Sequence, residues 1–265
     1  MSFPGSVLLS DGEVRTTTDD QRHPLGTRGY TRDGRVFHYA KAGATQLEVG
    51  LLAQAEAPAT NWSDDLTLAT AYAIGTTQLV VYASTGTTAL TTDTYKEGYL
   101  FMNDETGEGQ YVPIKKQGGR SSLTTLVTRS TVTFADDAFL PVAVTSGTQV
   151  GFVKNKYDDV IVCPTTLTSA PIGVTPTTVA ATYYYWIQTW GPCAIKCRGT
   201  VTVGRPVYPD TTNAGSVAAR SSDVGTIGSS FTSEFPLTWI LPPVGNILEV
   251  GANGETGIID LKISP

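Results

Sequence analysis

Hydrophobic residues in this chain recur at every second position over short stretches, which end at Gly, Pro, Asn or Asp. Such alternation is typical of β-strands, because successive side chains of a strand point to opposite faces. It predicts strands over residues 78–82, 99–102, 110–114, 123–128, 131–134, 149–153, 160–162, 171–174, 246–250 and 256–263. The one helix-like pattern, over residues 44–57, is weakened by Gly50 and the β-branched Val49. The chain is therefore predicted to be all-β.

The most apolar strand in this pattern is the segment from Tyr183 to Trp190, which a Gly-Pro pair follows. Gly191 and Pro192 predict a turn that ends the strand. At period two the segment has two apolar faces, and we expect the fold to cover one and another subunit to cover the other. The predicted interface residues are Tyr183, Tyr184, Tyr185, Trp186 and Trp190.

Composition indicates many short strands joined by turns. Among 265 residues there are 41 Thr, 27 Gly and 15 Pro; Thr suits pleated surfaces, whereas Gly and Pro favour turns. We expect a β-sandwich or barrel-like body with three regions: an extended N-terminal arm (1–45), a β-rich middle domain (46–168) and a β-rich C-terminal domain (169–265). Residues 209–234, rich in Ser, Thr and Gly, predict a long surface loop.

The N-terminal arm is basic, although the whole chain has a net charge of −6. Residues 21–45 contain a single acid, Asp33, and several basic residues, among them Arg22, Arg28, Arg32 and Arg35. Two interpretations stay open: a solvated, mobile terminus, or an arm that docks on an acidic partner surface. The acidic balance disfavours nucleic acid as the partner. In either case, removing residues 1–40 is expected to leave a folded protein.

The three cysteines, Cys163, Cys193 and Cys197, cannot all pair with one another. Buried, reduced thiols are the favoured interpretation, and a Cys193–Cys197 disulfide is the alternative. No N-terminal run reads as a signal peptide, and no stretch approaches the ~18 to 20 apolar residues of a membrane span. The expectation is synthesis inside a cell, with no membrane partner.

The residue types that perform most enzyme chemistry are scarce. The only histidines are His23 and His38, and the cysteine spacing does not match a zinc site. There is no phosphate-binding loop and no nucleophile elbow. Neighbouring acids such as Asp136-Asp137 are expected to be solvated turn residues. We therefore predict no catalytic residues, no cofactor and no metal.

Three segments resemble virion structural proteins of tailed bacteriophages. They are EGYLFMNDETGEGQ (97–110), LGTR (25–28) followed by DGRVFHYAKAG (33–43), and YYYWIQTWGP (183–192). The C-terminal part, from GPCA (191–194) through GTIG (225–228) to IIDL (258–261), is loosely similar to the trimeric head decoration proteins of lambda-like phages. The 209–234 excursion and the middle region depart from that pattern.

The resemblance implies a capsid decoration (cement) protein, a homotrimer with a small β-tulip-like C-terminal part. Its partners are then the major capsid protein and itself, and its place is the capsid exterior after synthesis in the host cytoplasm. The basic arm would anchor it to the capsid, and the aromatic strand would contact a subunit or the capsid. Two alternatives stay open: another virion component (tail, neck or fibre-associated), or a carbohydrate-binding or hydrolytic β-domain.

Overall fold

The computed structural model describes residues 5–59, 62–64, 66–83, 89–119, 128–219 and 242–265. Over these ranges the chain is built from β-strands, with one 3-10 turn at Glu13–Arg15, so the all-β prediction is confirmed. The strands are β1 (Ser6–Leu8), β2 (Arg28–Tyr30), β3 (Val36–Lys41), β4 (Leu52–Gln54), β5 (Leu66–Leu68), β6 (Gln78–Ala83), β7 (Tyr99–Asp104), β8 (Tyr111–Gln117), β9 (Thr128–Phe134), β10 (Gln149–Val153), β11 (Ile161–Val162), β12 (Pro171–Val174), β13 (Tyr184–Arg198), β14 (Pro206–Pro209), β15 (Val217–Ala219), β16 (Gly245–Glu249) and β17 (Thr256–Lys262).

The chain divides into two compact units, and the sequence of one interrupts the sequence of the other. The inserted unit is Ala57–Lys156, and the discontinuous unit combines Met1–Glu56 with Tyr157–Pro265. This division differs from the expected boundaries at 45/46 and 168/169. The first 56 residues belong with the C-terminal part because their strands pair with it, a relation that local sequence does not record.

The inserted unit is a closed barrel in which strands follow the order β10-β5-β6-β9-β8-β7. Every neighbouring pair is antiparallel. Alternation sets the interior: Leu100 and Met102 of β7 point inward, as do Val112 and Ile114 of β8. The residues between them therefore form the outer wall.

The discontinuous unit contains an 11-stranded sheet that closes on itself at one end. The sheet runs β1-β2-β3-β13, and β13 then pairs with both β15 and β17. Because β15 pairs with β14, β14 with β16 and β16 with β17, these five strands form a ring. Its interior is lined by Cys193, Ile195 and Cys197 of β13, together with aliphatic residues of the other strands.

Strand β13 does not end at Gly191-Pro192, so the predicted turn is wrong. The strand is 15 residues long and continues to Arg198, with an irregular register between Gln188 and Trp190 and a positive φ of 86° at Gly191. Glycine adopts this conformation without a Cβ clash. The buried Gln188 amide donates to the carbonyls of Trp190 (3.2 Å) and Pro192 (2.8 Å), which stabilises the bend. The strand thus passes from β3 to β17.

The segment expected to be an extended arm is instead part of the sheet. Strand β3 pairs with β13 from Tyr184 to Trp190, and all five residues from Val36 to Ala40 are buried. Its neighbour β2 is a further sheet strand. Burial on both faces leaves no polar alternation for the sequence pattern to detect, which explains the wrong prediction.

Residues 44–57, the weak helix-like pattern, contain strand β4, which pairs with β11 and β12 and agrees with the all-β prediction. One further expectation differs from the structure, and another lies largely outside it. The predicted loop at 209–234 contains strand β15, while its remaining part from residue 220 is outside the described residues. Most of the predicted strand 123–128 is also outside them.

Candidate functional site

Two aromatic residues of β13, Tyr185 and Trp186, are enclosed by the chain's own side chains, one on each face of the sheet. Trp186 packs with Phe37 and Tyr39 on one face, while Tyr185 and Ile187 belong to a second core cluster on the other. The two faces predicted at period two are therefore observed. We expected a second subunit to cover one of these faces, but residues of the same chain cover Trp186 on one face and Tyr185 on the other.

This burial corrects the interface prediction for Tyr185, which is 0% exposed, and for Trp186, which is 5% exposed. Their rings cannot reach a partner without unfolding of the sheet. Tyr183, Tyr184 and Trp190 are half-buried, and their interface role stays a prediction. The Trp186 ring lies 5.1 Å from Tyr39 in edge-to-face contact, a geometry that stabilises an aromatic core.

The four predicted arm arginines differ in their surroundings. Arg22 and Arg32 are exposed; Arg28 is half-buried on β2, with its guanidinium 6.0 Å from the Tyr30 ring. Arg35 is the most engaged, because it forms ion pairs with Asp11 and, at 2.7 Å, with Asp33. Only Arg22 and Arg32 therefore keep the surface position that docking requires.

Arg35 joins the N-terminal segment to the β2–β3 turn. Burial alone would lower the pKa of its guanidinium, but hydrogen bonds and charges from Asp11 and Asp33 raise that pKa above its ordinary value. The Thr31 hydroxyl, more than Arg35, holds the pKa of the Asp33 carboxyl below its usual range. Since Asp11 is 77% exposed on its side chain, water screens this pair, which we treat as positioning rather than catalytic.

An open groove of about 470 Å³ lies beside Arg35. Its lining residues come from the segment after β1 and from the β2–β3 turn: Leu8, Leu9, Ser10, Asp11, Glu13, Thr31, Arg32, Asp33 and Arg35. Glu13 accepts hydrogen bonds from the Ser10 backbone (2.7 Å) and hydroxyl (2.8 Å), which lower the pKa of its carboxyl. The acids are thus engaged in local hydrogen bonds and ion pairs, which shape the loops.

A buried polar cluster surrounds His38 on β3. Its Nδ1 lies 3.1 Å from the Thr189 hydroxyl, and its ring stacks on Tyr157 at 4.9 Å. The Thr189 hydroxyl donates to the Ser264 carbonyl at 2.7 Å and is fully buried. A substrate cannot reach a hydroxyl in that position, so the pair joins the C-terminal residues to the sheet.

The three cysteines are free, buried thiols. This answers the open question about Cys193 and Cys197, which line the five-stranded ring without a disulfide. Burial raises the pKa of Cys163 and of Cys193 to about 12, and it also raises the pKa of Cys197. Thiols with raised pKa values are weak nucleophiles and weak metal ligands at neutral pH.

Two exposed apolar surfaces were missed by the sequence analysis. The first, the aromatic corner, consists of Tyr99 on β7 and Tyr111 on β8 on the outer wall of the inserted barrel. The second, the aliphatic wall, consists of Val203, Leu248, Val250 and Ile258 around β16 and β17. The only sequence signal for either was apolar residues at both phases of the alternation.

Within the described ranges, no three His, Cys, Asp or Glu side chains are grouped as metal ligands would be. No helix in the part of the chain that the structure describes is long and apolar enough to span a membrane. Comparison with protein-family models, with curated proteins and with solved structures finds no match. Functional inference therefore depends on the surfaces described above and on the resemblance of the three segments.

Proposed function

We propose that this protein binds the outer surface of a phage capsid and stabilises it as a homotrimeric decoration protein. The observation that carries the proposal is the aliphatic wall, a rigid apolar surface that is exposed in the part of the chain that the structure describes. The resemblance of three segments to virion structural proteins suggests which partners bind the wall, namely the major capsid protein and further copies of this chain. The number of subunits also comes from that resemblance.

The aliphatic wall is rigid because its strands are paired on both sides. Strand β17 lies between β13 and β16, and β16 lies between β14 and β17. The Gly204 amide donates to the Ile247 carbonyl at 2.8 Å, which fixes the backbone next to Val203 against β16. Side chains on such a scaffold lose little conformational entropy on docking, so more of the hydrophobic gain is retained as affinity.

The exposed arginines supply a second, electrostatic contribution. Arg22 and Arg32 lie on a surface of the discontinuous unit where acidic groups of a shell protein can pair with them. An exposed pair contributes at most about 1 kcal/mol, and salt screens it. We therefore expect attachment to depend mainly on the aliphatic wall and only weakly on salt.

The number of copies per particle tests the proposal directly. Quantitative mass spectrometry of purified virions is expected to show on the order of hundreds of copies, as multivalent shell coverage requires. A handful of copies would instead assign the protein to the tail, neck or fibres. Absence from the particle would refute every virion function.

A matched pair of variants tests the surface. Leu248→Asp combined with Ile258→Asp is expected to abolish trimers and capsid occupancy, because a charged group cannot be buried unpaired. Thr256→Asp, at an exposed position of β17 outside the wall, is the control and should keep both. Light scattering should give about 84 kDa for three chains of 28.1 kDa. Loss of neither property in the double variant would refute the role of the wall.

A further inference from the structure

We propose that the aromatic corner of the inserted barrel is a binding site for a neutral saccharide. The site is formed by Tyr99 and Tyr111 and does not depend on the capsid proposal, since it lies on the other unit of the chain. Five observations carry it: the arrangement of apolar residues, the angle between the two rings, a preformed floor, a polar border, and the size and charge of the open surface.

Three neighbouring strands bring apolar residues together on the outer wall of the barrel. Strand β7 lies between β8 and β10, so that Tyr99 has Pro113 on one side and Val153 on the other. In the next row, Phe101 lies between Tyr111 and Gly151. The six residues form a grid of two rows: Val153, Tyr99 and Pro113 in one, and Gly151, Phe101 and Tyr111 in the other. The alternate residues of these strands are buried in the barrel, so the grid faces outward.

The two tyrosine rings form a corner rather than a flat surface. Their centroids are 5.6 Å apart and their planes are inclined at 77°. Tyr111 is 65% exposed and Tyr99 is 42% exposed. A ring-shaped ligand can stack its C–H face on Tyr111 and place its edge against Tyr99. Pyranose rings have such an apolar face, and the tyrosine hydroxyls add hydrogen-bonding groups that match sugar hydroxyls.

The floor of the corner is already formed. A Cβ atom at Gly151 would lie 2.6 Å from Cε1 of Phe101 and 2.3 Å from the Ser63 carbonyl oxygen. Only glycine at this position lets the Phe101 ring lie against the β10 backbone beside Tyr111. Because paired strands position every part of the site, binding needs no reorganisation of the protein.

Polar groups border the apolar grid at both ends. Beyond Phe101 on β7, the Asn103 amide donates to the Asp64 carboxylate; beyond Pro113 on β8, the Lys115 ammonium pairs with Asp136. A saccharide whose ring covers the corner has hydroxyls at its circumference, where such groups donate and accept hydrogen bonds. An apolar centre with a polar border is the arrangement that sugar recognition requires.

Size and charge argue against the other classes of ligand. With about 200 Å² for a whole aromatic side chain, the exposed fractions leave about 200 Å² of tyrosine surface open. A stable protein interface takes about 800 Å² from each partner, so the corner suits one or two sugar rings instead. Asp104 at the end of β7, with Glu105 and Glu108 in the β7–β8 turn, would repel nucleic acid, anionic phospholipid or an acidic sugar.

The test uses the full chain and neutral trisaccharides of glucose, mannose, galactose, xylose and N-acetylglucosamine. Isothermal titration calorimetry is expected to show saturable binding of at least one of them at millimolar concentration. Tyr111→Ala should weaken that binding about tenfold or more, because it removes the stacking surface, while Tyr111→Phe should keep most of it. Tyr82→Ala is the matched control, since β6 lies opposite β7 in the six-stranded ring.

Three outcomes would overturn the proposal. The first is no binding of any trisaccharide by the unmodified chain at 10 mM. The second is equal binding by the Tyr111→Ala and Tyr82→Ala variants, provided that both keep the thermal stability of the parent. The third is loss of capsid occupancy in Tyr111→Ala without any saccharide binding, which would assign the corner to a protein contact.

Discussion

Replacement of Phe37 by alanine tests whether the N-terminal segment is a structural strand or a dispensable arm. Phe37 is 0% exposed, packs with Tyr39 and Trp186, and pairs across the sheet with Gln188. Truncation of a buried Phe costs about 3 to 5 kcal/mol, from lost burial together with the cavity left behind. Burial of about 150 to 200 Å² at about 25 cal/mol per Å² gives a similar value.

Two measurements are needed: urea denaturation, which gives the loss of stability, and amide hydrogen exchange, which locates it. With a slope of about 2 kcal/mol per M, the expected loss lowers the urea midpoint of the discontinuous unit by about 2 M. Exchange should accelerate in β3 and in residues 184–190 of β13, which are paired with each other. The six-stranded barrel is a separate unit and should keep its protection. Arg22→Ala, at an exposed position nearby in sequence, is the control.

An unchanged midpoint for Phe37→Ala would refute the assignment of β3 to the core. It would also restore the arm interpretation, under which residues 1–40 can be removed without unfolding. The structure predicts the opposite: a chain without these residues loses β1, β2 and most of β3. Such a chain should expose the apolar face of β13 and aggregate.

Three further results are expected. Cys163 and Cys193 should resist alkylation at pH 8 in the folded chain and react after unfolding, which mass spectrometry detects; rapid native labelling would contradict their burial. Because burial raises the folded-state pKa of both thiols from 9.0 to about 12, their contribution to stability is complete below pH 9 and is lost as the pH rises towards 12. Urea midpoints that stay constant over that range would exclude this linkage. Gly29→Ala should cost about 1 to 3 kcal/mol by overpacking, since the new Cβ would lie 2.4 Å from Leu9 and 2.9 Å from Trp186; calorimetry showing an unchanged melting temperature would count against it.

Local alternation predicted several strands well. Residues 149–153 and 171–174 are strands with the predicted bounds, and 78–82 differs by one residue. In these segments the flanking Gly, Pro and polar residues mark each end of the strand. The alternation says nothing about which strands pair, so the ring of five strands and the partnership of β3 with β13 required the structure.

The candidate surfaces were harder to predict for a related reason. In β7 the residues Tyr99 and Phe101 alternate with Leu100 and Met102, and both sets are apolar. Sequence alone does not decide which set faces the barrel interior. The sequence shows that the segment is rich in arginine, but it does not show which acids lie nearby. Arg35 pairs with Asp11 only because the loop from Ser10 onward folds back beside the β2–β3 turn.

The insertion of one barrel into a discontinuous unit has a consequence for biosynthesis. As the chain leaves the ribosome, strand β3 emerges more than 140 residues before β13, its partner in the sheet. The inserted barrel is continuous in sequence and can fold during translation, whereas the unit around it must wait for β17 near the end of the chain. Interrupted synthesis would therefore yield a chain with a folded barrel and an apolar β3 that lacks its partner β13. Chaperones and proteases can recognise that exposed strand, so incomplete chains are expected to be removed.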